Sequence, residues 1–157
     1  MTEYTADAVQ TVNPGEAVVF TTTVFPCTRG YVRNRPGTGN FVLSGSVPSN
    51  QNGCCCCCKS DSAKYFIDCG ANIAIPTGGT VGPISLALTI DGATIPASTM
   101  IVTPAAVEQY ANVSRAIAIP VWRGCCQTVT LRNTSTQAIL VQNADIVFTR
   151  PDLTISY

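Results

Sequence analysis

Ile84-Ser85-Leu86-Ala87-Leu88-Thr89-Ile90-Asp91-Gly92 is the stretch that decides the fold class. Ile84, Leu86, Leu88 and Ile90 recur at every second position, and side chains two apart on an extended strand share one face. Ser85, Ala87 and Thr89 take the other face, so the first set is assigned to a core and the second to its reverse. Asp91-Gly92 follows at once, and Asp-Gly between alternating runs is a strong signal for a two-residue hairpin turn.

The same pattern extends in both directions. Short runs of β-branched residues and Thr are punctuated by Asn13-Pro14-Gly15, Arg35-Pro36-Gly37 and Pro76-Thr77-Gly78-Gly79, all with turn chemistry. Strands are expected at 5–12, 17–24, 30–35, 40–46, 63–75, 84–90, 94–102, 113–121, 127–132 and 138–149. Only 103–110 reads as helical, with Thr103 as a cap and Pro104 in the first turn. About ten antiparallel strands in one chain pack as two sheets, and a jelly-roll sandwich is the usual solution. The expected organisation is a single all-β jelly-roll domain over 1–157, a Cys-rich loop at 50–62, and termini at 1–12 and 150–157 suited to strand exchange.

With 157 residues, 46% of them hydrophobic, the chain is long enough for one compact core. Charged residues make up only 11%, low for a freely soluble surface, so much of the surface is expected to be covered by partners. Nine basic residues balance nine acidic ones, which argues against nucleic acid as a partner. No run approaches the roughly 20 apolar residues of a membrane span, and the polar start lacks the features of a secretory signal. Membrane insertion is therefore not expected.

Two blocks carry a resemblance: Asn72-Ile73-Ala74-Ile75-Pro76-Thr77-Gly78-Gly79-Thr80-Val81-Gly82-Pro83-Ile84, and Val141-Gln142-Asn143-Ala144-Asp145-Ile146-Val147. They resemble small jelly-roll proteins of Firmicutes and their prophages. That pattern is in turn similar to the tumour necrosis factor and complement globular-head superfamily, including the C-terminal heads of exosporium collagen-like glycoproteins. The resemblance implies a trimer around a central apolar axis. No Gly-X-Y tract is present, so no collagen-like stalk accompanies the head.

Nine cysteines stand against this signal-less background. Cys54, Cys55, Cys56, Cys57 and Cys58 form an unbroken run in a polar setting, Cys125 and Cys126 a second pair, and Cys27 and Cys69 stand alone. Adjacent cysteines make strained disulfides, so the run looks elsewhere in the fold or to another subunit for partners. The leading expectation is covalent hardening of a surface assembly. Reduced thiols, some buried as small apolar residues, are the second reading. Metal binding is the third: Cys54 with Cys57 and Cys55 with Cys58 have zinc-like spacing, a match that five consecutive cysteines make almost automatically.

Enzyme chemistry is poorly served. Without a single His the chain cannot build Ser-His or Cys-His nucleophile pairs, and no catalytic residue, metal site or cofactor is assigned. Interface or ligand candidates are Tyr31 and Arg33, flanked by Arg29 and Arg35, then Trp122 and Arg123 at a strand end, and Tyr157 in the terminal alternating run. The expected function is a non-enzymatic structural subunit of a homo-oligomeric assembly on a spore surface, appendage or other extracellular particle. A phage virion decoration protein and a glycan- or receptor-binding trimeric head are the alternatives.

Overall fold

The structure is a computed structural model, and it describes residues 1–46 and 62–153. The cysteine run Cys54–Cys58 and the terminal Tyr157 lie outside the described residues. The described chain forms twelve strands: β1 Thr2–Ala6, β2 Gln10–Val12, β3 Thr22–Phe25, β4 Val32–Arg35, β5 Asn40–Ser44, β6 Ser62–Ala74, β7 Ile84–Ile90, β8 Ala93–Thr94, β9 Met100–Val102, β10 Ala111–Trp122, β11 Cys126–Asn133 and β12 Ile139–Thr149. Two antiparallel sheets result. Sheet A runs β10-β6-β12-β1-β3, with β2 on β12; sheet B runs β4-β5-β11-β7-β8, with β9 on β7. The chain passes from one sheet to the other after β3, β5, β6, β9, β10 and β11, which is the wrapping of a jelly roll.

β7 spans the residues expected of it, and Asp91-Gly92 forms the hairpin to β8, with Ile90 opposite Ala93. Both turn residues have positive φ, 49° at Asp91 and 86° at Gly92, as a two-residue turn matched to strand twist requires. The strand expected at 94–102 is divided. A 3-10 turn at Pro96–Ser98 separates β8 from β9, because Pro96 has no N–H to continue the ladder. Buried Ser98 fills the gap: the Leu88 amide donates to its hydroxyl at 2.9 Å, and that hydroxyl in turn donates to the Ile95 carbonyl at 2.7 Å.

The expected helix at 103–110 does not form. Pro104 is buried, Glu108 sits at φ 57°, and the Glu108 amide donates to the Ile75 carbonyl at 2.7 Å. A long-range bond therefore takes the amide that a helix would use internally. The expected 17–24 strand is likewise reduced to β3, with Ala17 held by an isolated bridge to Arg132.

Inward-facing side chains from both sheets make one core. Phe41 on β5 is fully buried, with Tyr4 of β1 at 4.8 Å, Phe148 of β12 at 5.0 Å and Phe20 at 5.4 Å between ring centroids. β6 contributes Ala63, Tyr65, Ile67, Cys69, Ala71 and Ile73 to the same interior. Burying each large side chain contributes about 1.5–3 kcal/mol. On the reverse of sheet B, Thr89 and Thr130 are also buried; their hydroxyls bond each other, which offsets the loss of water. β10 is the long edge of sheet A, and Pro120 lies within it.

Candidate interaction face

Sheet A is covered on its inner side by sheet B, and register defines what its outer side presents. Ala118 pairs with Phe66, which pairs with Thr149; one step along, Ala116, Asp68, Val147, Glu3 and Phe25 form a row. The next row is Ser114, Gly70, Asp145, Thr5 and Thr22. At the far end Pro120 opposes Lys64 and Trp122 opposes Ser62. Phe66 is 47% exposed, Phe25 49% and Trp122 60%, on a strand set otherwise carrying Ala116, Ala118 and Pro120 outward. Large apolar side chains that share one open face mark an interaction surface more clearly than isolated ones do.

A shallow hollow opens on this face, lined by Asp68, Gly70, Asn112, Ser114, Arg115 and Asp145 among others. It arises where β12 bulges between Gln142 and Asp145, with Asn143 at φ 50°. A Cβ on Gly70 would stand 3.1 Å from Asp145 Oδ1, so the missing side chain keeps the hollow open. Burial raises the Asp145 pKa, and the Glu3 and Asp68 carboxylates add to the rise. The Arg115 Nε donates to the Ala97 carbonyl at 2.9 Å, away from these acids.

The cysteines separate by position. Cys125 and Cys126 are exposed at the β10–β11 turn, where the Gly45 amide donates to the Cys125 carbonyl at 2.8 Å and Ser44 pairs with Cys126. Ser62 pairs with Trp122 at the start of this turn. Cys27 is half-buried in a second hollow with Arg29, Tyr31 and Arg150. Cys69 departs from its expected cross-linking role. Its side chain faces the core, 3% exposed, and burial, with Asp145 and Asp68 nearby, pushes the thiol up to about 12. No disulfide occurs among the described residues.

The expected patch of Tyr31 with Arg33 takes a different form. Arg33 and Arg35 project from the exposed side of β4, whereas the Tyr31 ring lies 6.2 Å from Tyr65 with the Arg150 guanidinium 5.6 Å away. Arg150 is the cation at this aromatic pair. It is buried, donates to the Ser46 carbonyl at 2.9 Å, and forms an ion pair with Asp152. Trp122 and Arg123 stand exposed at the end of β10. Phe66 shares the outward parity of Lys64 and Asp68, between inward Tyr65 and Ile67, a signal that needs the strand's orientation to be read. Nothing local distinguishes Arg150.

The sequence matches no protein-family model, and no curated protein is a significant relative. Solved structures do match. The globular domain of a zebrafish complement 1qA protein has TM-score 0.58 at 11% identity, over 96% of this chain and 95% of that one. Murine APRIL, solved at pH 5.0, has TM-score 0.61 at 11% identity, covering 95% and 98%. Eiger TNF from S. frugiperda has TM-score 0.62 at 11% identity, covering 99% and 97%. The chain therefore has the jelly-roll fold of the tumour necrosis factor and complement globular heads. This agrees with the fold that its sequence resemblance implied.

Proposed function

We propose that this chain is a non-enzymatic structural subunit that self-associates through the outer face of sheet A, as a trimer or a larger homo-oligomer, on an extracellular particle such as a spore surface. The observation that supports this is the open apolar set Phe25, Phe66, Ala116, Ala118, Pro120 and Trp122 on one sheet face. A closed assembly in which copies pack against this face removes it from water. The low overall charge, 11%, fits a surface that is largely covered. The fold likeness to complement 1qA, APRIL and Eiger adds to the trimer reading by analogy alone.

Disulfide hardening is the second part of the proposal. Cys125 and Cys126 are exposed on the β10–β11 turn, so their thiols are accessible to oxidation between copies. Each bond formed removes two electrons and two protons from a thiol pair, transferred to an oxidant such as air. The test is sedimentation equilibrium on the wild type and Phe66→Lys, run beside denaturing gels with and without reductant. Oligomers that Phe66→Lys dissociates support the face, and reductant-sensitive high-mass bands support hardening. Wild type that is monomeric at all concentrations overturns self-association. A single 16.5 kDa band in both lanes removes the covalent component.

A further inference from the structure

We propose that assembly through sheet A is gated by acid: Glu3, Asp68 and Asp145 lie together on the face to be buried, so association takes up protons and tightens as pH falls. This rests on the self-association reading and names how that face is regulated. Asp68 and Glu3 flank Val147 in one row, and Asp145 occupies the next row on the same strand as Val147. Three carboxylates thus occupy neighbouring positions on three adjacent strands.

The groups packed around Asp145 do not neutralise it. From β6 the facing charge is Asp68; from β1 it is Glu3; β3 supplies only Thr22, Thr23, Val24 and Phe25. From β10, Arg115 lines the same hollow, its Nε donating to the Ala97 carbonyl, and it forms no ion pair with Asp68 or Asp145. Lys64 lies four residues from Asp68 along β6, roughly 13 Å away at about 3.3 Å per residue, beyond the ~8–10 Å screening length of physiological salt. The only ion pair among the described residues is Arg150 with Asp152, remote from this cluster in register.

Docking of a second copy penalises the charged form, because the carboxylates lose water. That loss favours the protonated acids, and a binding step that takes up protons strengthens as pH falls. Asp145 is already shifted upward in the single chain, in the direction this requires.

The test is the dissociation constant by sedimentation equilibrium across pH 5.0 to 7.5, for wild type, for Asp68→Asn with Asp145→Asn and Glu3→Gln, and for Phe66→Lys. Wild type is expected to tighten by about tenfold or more toward pH 5.0, the change that one net proton gives per pH unit. The triple variant is expected to associate tightly at every pH, and Phe66→Lys to stay dissociated. An assembly equally tight at both pH values, or tighter at pH 7.5, overturns the gating while leaving the face intact. A triple variant that keeps the wild-type pH dependence does the same. Wild type that is monomeric throughout overturns both readings.

Discussion

The Arg150 guanidinium carbon lies 5.1 Å from the centre of the Tyr65 ring, and the Tyr65 hydroxyl approaches the Ser44 carbonyl at 2.6 Å. β12, β6 and β5 are thereby joined at one end of the sandwich, with Asp152 and the Ser46 carbonyl completing the arginine's partners. Replacing Arg150 by Ala leaves Asp152 without its counter-ion and opens space beside two rings. Asp152 is at the surface and regains water, while the Ser46 carbonyl loses its charged donor, so a loss of about 1–3 kcal/mol is expected, read by chemical denaturation. Tyr65→Phe, which removes only the hydroxyl, is expected to cost about 1–3 kcal/mol.

Asp145 gives folding itself a pH dependence. Its native pKa lies above the ordinary carboxylate value, so the native state binds the proton more tightly than the unfolded state does. Stability is expected to rise as pH falls through the native Asp145 titration, levelling off below the unfolded value of about 3.9. Asp145→Asn should raise stability at neutral pH, by less than about 1 kcal/mol given the partial solvent exposure, and flatten that part of the profile. Urea denaturation of both proteins at pH 4 to 7.5 measures it; a less stable variant at pH 7.5 contradicts the sign.

Thiol chemistry should follow position. Iodoacetamide under native, reducing conditions at pH 8, read by peptide mass spectrometry, is expected to modify Cys125 and Cys126 while sparing buried Cys69. Denaturant should remove the difference. Rapid native labelling of Cys69 contradicts its placement in the core.

Gly39 and Gly92 should respond unequally to alanine. Both have positive φ, but a Cβ at Gly39 would stand 2.3 Å from the Val18 carbonyl oxygen, whereas nothing lies within 4 Å of one at Gly92. Gly92→Ala is expected to cost about 1–2 kcal/mol from backbone strain alone. Gly39→Ala adds a collision with backbone and should cost about 3 kcal/mol or more. Thermal denaturation orders the two.

The strands were legible wherever alternation and turn chemistry agreed, as at 84–90 and Asp91-Gly92. Local signals failed where a distant partner prevailed: the Ile75 carbonyl takes the Glu108 amide, and Ser98 stands in for a ladder that Pro96 interrupts. The site was legible in part. Trp122 reads as an exposed anchor at a strand end, but the parity of Phe66 becomes informative only once Tyr65 and Ile67 are known to face sheet B. Asp68 and Asp145 are far apart in sequence, and only the β6–β12 register sets them in adjacent rows.

The long edge of sheet A sets a limit on how copies can add to one another. β10 ends sheet A among the described strands, and the outward half of the backbone groups along Ala111–Trp122 is a template on which further strands could stack. Pro120 has no hydrogen to offer such a strand, and Arg115 folds toward Ala97 beside it. Growth by strand addition along that edge is therefore interrupted at Pro120.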